Sequence, residues 1–201
     1  GLAPALSSNR MTQASPPANA YISLGSNLGD RAGNLLLAVR GMLDSGLVVS
    51  RVSSVYETEP VGNSSQADMP RFLNMIAELR IPLPPPEQLL AQLLRIEYSL
   101  GRTREVPGGP RTIDLDLLLC GDETRGTEFL TLPHPRLHQR RFVLVPLGEL
   151  APRLVHPPFQ NSVRDLLEET EAKSEVHLWK ASSEPPAVEG GLTSATQQIV
   201  T

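Results

Sequence analysis

A chain of 201 residues, 40% apolar and 20% charged, has room for one packed domain and is short for two. Its single cysteine, Cys120, excludes an internal disulfide and a cysteine-built zinc cluster, and no apolar run nears the roughly 20 residues that span a bilayer. A formal net charge of −4 argues against a general grip on nucleic acid or an anionic membrane.

The basic residues are lopsided. Sixteen of the 18 are arginine, and the two lysines, Lys173 and Lys180, fall near the C-terminus. Any phosphate handled in the body of the chain must therefore be met by arginine. The N-terminus has no basic region followed by an apolar core, so the expected location is the cytoplasm.

Residues 1–19 are rich in Ala, Ser and Pro and are expected to be disordered, with Met11 as the natural start and residues 1–10 left over from expression. Residues 171–201 are expected to be a second disordered tail, which leaves residues 20–170 as one domain. Ala20–Leu24 reads as a short buried strand, followed by a polar turn from Gly25 to Asp30. The spacing of Ala32, Leu35, Leu36, Val39 and Leu43 predicts a helix over 31–44, capped by Asp30 and ended by Gly46. Leu47–Glu57 reads as a long strand, Thr58–Pro70 as a polar loop, and Arg71–Ile81 as a further strand. After Pro84-Pro85-Pro86 comes a helix over 87–100 with Leu89, Leu93 and Ile96 as its buried stripe. Thr112–Leu119 reads as the fourth strand, and short helices are expected over 139–148 and 163–169.

The order strand, helix, strand, strand, helix, strand predicts an α+β fold of the ferredoxin-like split βαβ type. Its sheet is expected to be antiparallel with helices on one face and a free second face for binding.

The densest chemical signal is Gly101-Arg102-Thr103-Arg104 followed by Gly109-Pro110-Arg111-Thr112-Ile113-Asp114-Leu115-Asp116. Asp114 and Asp116 lie two apart in a predicted strand, so both point to one face, about 7 Å apart. Carboxylates this close repel unless a cation lies between them, and hard oxygen ligands suit Mg²⁺. Arg102, Arg104 and Arg111 flank them, and guanidinium groups match phosphate oxygens bidentately. Together these suggest phosphoryl chemistry on a nucleoside triphosphate. The same pattern also fits a solvated strand face whose charges pair among themselves. No P-loop, protein-kinase signature, zinc-protease helix or serine-hydrolase elbow is present.

These residues resemble the 6-hydroxymethyl-7,8-dihydropterin pyrophosphokinase family of folate biosynthesis. Gly-Pro-Arg-Thr-Ile-Asp-Leu-Asp at 109–116 is close to that family's signature. Tyr21–Gly29, SSVYETEP at 53–60, Phe72-Leu73-Asn74, Arg95–Glu97 with Gly101-Arg102, Leu132-Pro133-His134-Pro135 and Arg140–Val143 match its other segments in order. The resemblance covers about residues 20–168.

It implies transfer of pyrophosphate from ATP to the pterin hydroxyl, giving AMP, with two Mg²⁺ ions held by Asp114 and Asp116. It implies catalytic roles for Arg102, Arg111, Asp114 and Asp116, and ATP contacts from Arg102, Arg104, Arg111, Thr112, His134 and Arg140. It implies a pterin pocket of Thr58, Pro60, Val61, Gly62, Phe72, Asn74 and Phe142, the two aromatics sandwiching the ring. The expected partners are ATP and the pterin, with no nucleic acid or membrane, and a monomer is the expected state.

The sequence departs from the family pattern at Pro107-Gly108, where an aromatic is common, at Glu105, where some members are basic, and at Phe72, where Tyr is common. A non-catalytic ATP- or metal-binding regulatory domain on the same scaffold is the alternative, which the intact set of Arg102, Arg111, Asp114 and Asp116 disfavours. An RNA-binding sheet would need exposed aromatics at adjacent strand centres and a basic face, and an acidic chain with only eight aromatics is a poor match.

Overall fold

A computed structural model describes residues 19–60, 69–101, 111–171 and 174–181. β1 (Ala20–Ser26) is buried along its whole length, two residues longer than its apolar run suggests. α1 (Arg31–Asp44) follows directly. The Asp30 carboxylate accepts the Gly33 N–H at 3.0 Å, and Gly46 just beyond the helix adopts φ +81°. The helix buries Leu35, Ala38 and Met42, while Leu36 and Leu43, which the spacing assigns to the stripe, face solvent.

The strand expected over 47–57 is two strands, β2 (Val48–Val52) and β3 (Tyr56–Thr58), both paired to β4 (Phe72–Arg80). Ser53 makes the break. Its N–H still donates to the Ile76 carbonyl at 2.8 Å, but its hydroxyl, not its own carbonyl, accepts the Ile76 N–H at 2.9 Å. α2 (Pro86–Ser99) begins on Pro86, whose missing N–H is harmless in a first helical turn, and it buries Leu89, Leu93, Ile96 and Glu97. β5 (Asp114–Cys120) completes the main sheet. Two small ribbons, β6 (Arg125–Gly126) with β7 (Thr131–Leu132) and β8 (Val155–His156) with β9 (Asn161–Ser162), were not foreseen. A 3-10 turn at Leu137–Gln139 leads into α3 (Arg141–Leu150), and a Ser162 capping box opens α4 (Val163–Glu169).

With a last strand β10 (Val176–Leu178), the sheet order is β10-β3-β4-β1-β5, with β2 beside β3 on β4, and every pair is antiparallel. This is the split βαβ arrangement. One face carries Ile22, Leu24, Leu73, Met75, Leu79, Leu115 and Leu117 against α1 and α2. The second face is not free, contrary to expectation. α3 and α4 cover part of it, burying Val143, Leu144, Leu147, Val163 and Leu166 against Tyr21, Ile76, Leu118 and Leu119. A register shift between Tyr21 and Ile22 leaves Leu118 unpaired in β5, and both Leu118 and Leu119 join that second cluster. With helices on both faces, β4 is buried over seven successive residues, which erases the alternation of a one-sided strand.

The expectation of no element after residue 170 also fails. β10 (Val176–Leu178) pairs with β3, the Trp179 N–H donates to the Val55 carbonyl at 2.9 Å, and Trp179 packs against the first core. Backbone pairing carries this strand, and a three-residue strand has too little side-chain pattern to announce itself.

Candidate active site

The part of the second face that α3 leaves uncovered is one end of the sheet. The last residues of β1, the first of β4 and β5, the end of β3 and the start of α3 converge there. Register fixes the neighbours. Gly25 pairs with Asn74 on one side and Asp114 on the other, and Tyr56 pairs with Asn74, so Tyr56, Asn74, Gly25 and Asp114 form one row across four strands. Ser23 stands opposite Asp116 in the next row.

Gly25 is the floor of this end. A Cβ there would stand 3.1 Å from Asn74 Oδ1 and 3.8 Å from the Phe72 ring. Its lack of a side chain keeps the surface open between the aspartate side and the Asn74–Phe72 side. Asn74 is buried mid-strand and donates through Nδ2 to the Thr58 hydroxyl at 2.8 Å, which turns its Oδ1 toward Gly25. Thr58 is buried and Pro60 half-buried just beyond it.

Arg111 and Asp114 form an ion pair at 2.5 Å. Thr112 lies half-buried in the bend between them. Arg140, at the start of α3, approaches Asp116 Oδ2 at 3.4 Å, and its guanidinium lies over the Phe142 ring, 5.6 Å from the centroid. Burial lowers the pKa of Arg140, an effect the Asp116 charge opposes.

His134 sits 3.9 Å from the same Asp116 oxygen. Burial first, then the charges of Arg140 and Arg136, lower its pKa to about 4. At neutral pH this contact is therefore a neutral ring beside a carboxylate, not an ion pair. Nδ1 accepts the Arg136 N–H at 3.2 Å, which assigns the ring proton to Nε2, the nitrogen facing Asp116.

Of the residues expected in the site, Thr58, Phe72, Asn74, Arg111, Thr112, Asp114, Asp116, His134, Arg140 and Phe142 thus gather at this end of the fold, with Pro60 adjoining. Val61, Gly62, Arg102 and Arg104 lie outside the described residues. Sequence reasoning missed three contributors. Gly25 was assigned to a turn but lies within β1, one residue before its end, and a glycine closing a buried run was its only signal. Asn27 is buried, accepts the Arg111 N–H at 2.6 Å through Oδ1 and donates to the Pro70 carbonyl at 3.2 Å, tying the approaches to β5 and β4 together. Glu97 of α2, also buried, accepts the Leu115 N–H at 2.7 Å and so braces β5 between the two aspartates.

Asp114 and Asp116 keep 18% and 33% of their side-chain surface open. Among the described residues no group of three or more His, Cys, Asp or Glu could hold a metal ion. Two carboxylates short of a full cage are a poor structural zinc site. They fit Mg²⁺, which retains water and takes further oxygens from phosphate.

Comparison with known proteins gives this geometry its class. Residues 21–152 match the family model described as 7,8-dihydro-6-hydroxymethylpterin-pyrophosphokinase, and the chain belongs to that family of ATP-dependent pyrophosphoryl transferases in folate biosynthesis. A *Bacillus subtilis* 2-amino-4-hydroxy-6-hydroxymethyldihydropteridine pyrophosphokinase is 52% identical over 132 residues, covering 65% of this chain and 77% of its own. The enzyme of the same name from *Aquifex aeolicus* is 36% identical over 156 residues, covering 78% and 94%. Among solved structures, a *Plasmodium falciparum* HPPK-DHPS triple mutant superposes with a TM-score of 0.60 at 16% identity, over 78% of this chain. The chain spans 44% of that two-part protein, and the likeness concerns the fold. Among the described residues no helix is long and apolar enough to cross a membrane.

Proposed function

We propose that the family's pyrophosphoryl transfer runs at this end of the second face, with Asp114 and Asp116 as ligands of two Mg²⁺ ions and the Phe72–Asn74–Phe142 side as the pterin pocket. In the reaction the hydroxymethyl oxygen of the pterin bonds to the β-phosphorus of ATP. The bond from that phosphorus to the oxygen of the α-phosphate breaks, AMP leaves, and the hydroxyl proton is released. When bound, Mg²⁺ supplies charge neutralisation on the phosphates and a lowered pKa at the attacking oxygen.

The protein's own groups supply position and charge. Asn74 Oδ1, oriented by the Thr58 hydroxyl, accepts from an N–H on the pterin edge, and the Phe72 and Phe142 rings bracket its flat faces. Arg111, Arg140, Arg102 and Arg104 meet the phosphates, since the planar guanidinium fork matches phosphate oxygens. Thr112 donates its hydroxyl to the nucleotide. Neutral His134 presents Nε2–H as a donor without adding charge.

Residues around 20–170 act as one catalytic domain, monomeric and cytoplasmic, with ATP and the pterin as partners. The observation that carries this reading is the row Asp114–Gly25–Asn74. It sets a metal-type carboxylate and a buried, oriented amide on one surface with only a glycine between them. The test is to mix the protein with ATP, Mg²⁺ and 6-hydroxymethyl-7,8-dihydropterin. AMP is the expected product, and ADP in its place would overturn the reading.

A further inference from the structure

β3 is the weak member of the row. It is three residues long, and its inner neighbour β4 gives it only the pairs Tyr56–Asn74, Glu57–Leu73 and Thr58–Phe72. Its outer neighbour β10 adds three more pairs but is itself only three residues long, so few ladder bonds hold β3 on either side. Yet Thr58 must stand still if its hydroxyl is to orient Asn74.

A side chain of α3 reaches across to hold this strand. Glu149 Oε1 accepts the Ser54 N–H at 2.9 Å and the Ser54 hydroxyl at 3.0 Å, and Glu149 Oε2 accepts the Tyr56 hydroxyl at 2.7 Å. Both carboxylate oxygens are thus used on two residues of one short segment, 93 and 95 positions earlier in the chain. The reach is selective, because Tyr56 is the residue paired with Asn74, and α3 is the helix whose first turn carries Phe142.

We propose that Glu149 is a positioning residue for the pterin pocket: by gripping Ser54 and Tyr56 it sets the gap between the strands carrying Thr58, Phe72 and Asn74 and the helix carrying Phe142. This rests on the pterin reading given above. The titration behaviour is consistent. Burial and the Glu149 carboxylate push the Tyr56 hydroxyl up to about 12, and the bonds from Tyr56 and Ser54 pull Glu149 down against its own partial burial. The grip therefore holds its charge state through the neutral range. Glu57, the acidic residue of β3 itself, does not compete for it, because it points to the opposite face, where it pairs with Arg31.

The test is steady-state kinetics on the full chain with Glu149→Ala, Glu149→Gln, Tyr56→Phe and Phe142→Ala. Loss of these bonds should raise the pterin KM by about fivefold and leave the ATP KM within about twofold. Glu149→Gln, which retains one acceptor oxygen and can still reach Ser54, should lie between wild type and Glu149→Ala. Tyr56→Phe should add little on top of Glu149→Ala, because both remove the same bond. If Phe142→Ala raises the pterin KM and Glu149→Ala does not, the positioning role is wrong and the pocket stands. An equal rise in both KM values for Glu149→Ala assigns it a general packing role and also overturns the proposal. If Phe142→Ala leaves the pterin KM unchanged, the pocket itself is misassigned and the inference falls with it.

Discussion

Two carboxylate sites occupy opposite ends of the same sheet face. At one end Glu78 is buried and closed in by its own chain. It accepts from the Tyr21 hydroxyl at 3.0 Å, the Ser50 hydroxyl at 2.6 Å and the Arg51 guanidinium at 2.5 and 3.1 Å. The Arg51 bonds, chiefly, hold its pKa down at about 2. At the other end Asp114 and Asp116 stay partly open: Asp114 is paired to Arg111 at 2.5 Å, and Asp116 is met from the rim by Arg140 at 3.4 Å and by a neutral His134 at 3.9 Å. The contrast separates two uses of one functional group. Enclosure by several fixed partners spends a carboxylate on the fold, whereas a solvent-facing edge leaves part of the charge of Asp114 and Asp116 accessible to a ligand.

The largest expected effect sharpens this comparison directly. Asp116→Ala should cut turnover about a hundredfold or more while leaving the circular dichroism spectrum and melting midpoint near wild type, since metal neutralisation contributes several kcal/mol in such reactions. Near-normal AMP release would place Asp116 with Glu78 as a structural residue.

Glu78→Ala should do the reverse. It should cost about 3 kcal/mol of stability in urea titration, because it strips a buried network of its acceptor, and kcat of the folded fraction should change little. The same group sets an acid limit. Its folded pKa is depressed from 4.5 to about 2, so its contribution is present above pH 4.5 and lost as pH falls toward 2. That contribution is on the order of 3 kcal/mol. Stability measured from pH 6 to pH 2 should fall less steeply in Glu78→Gln than in wild type, and parallel curves would remove Glu78 from the account.

Phe142→Ala should weaken pterin binding by on the order of 1 kcal/mol beyond the area lost and ATP binding by much less, read by calorimetry. The smallest effect belongs to Arg71→Ala, which breaks contacts with Glu59 at 3.0 Å and Glu57 at 3.6 Å from a side chain that is 53% exposed. Its cost should stay below about 1 kcal/mol. A larger loss would mean that rim charges carry more of this fold than the Glu78 comparison allows.

Elements with strong periodicity or punctuation were legible in the sequence. α1 with its Asp30 cap, α2 after its proline run, and the alternation that aims Asp114 and Asp116 to one face all follow from spacing. What was hidden depends on contacts distant in the chain. The break at Ser53 exists because a hydroxyl meets Ile76, and β10 exists because β3 offers it a free side. The cover over the second face required α3 to fold back on residues more than sixty positions earlier, such as Ile76. In the site, the paired aspartates and flanking arginines suggested phosphoryl chemistry from residue type alone, while the pterin side rested on family resemblance, because Phe72 and Phe142 alone read as core. Gly25 and Asn27 were invisible for the same reason as Ser53: their roles lie in what they stand beside.

The chain's one tryptophan, Trp179, follows the last strand and packs on the first core, with its N–H bonded to Val55 just ahead of β3. The molecule thus carries a built-in optical reporter at a single address. Its emission should be blue while β10 stays paired and should move red once that strand lets go, whatever the helices are doing. In a denaturant series followed by fluorescence and far-ultraviolet dichroism together, a red shift that precedes loss of helix signal would reveal that the sheet comes apart first from the side that carries Thr58.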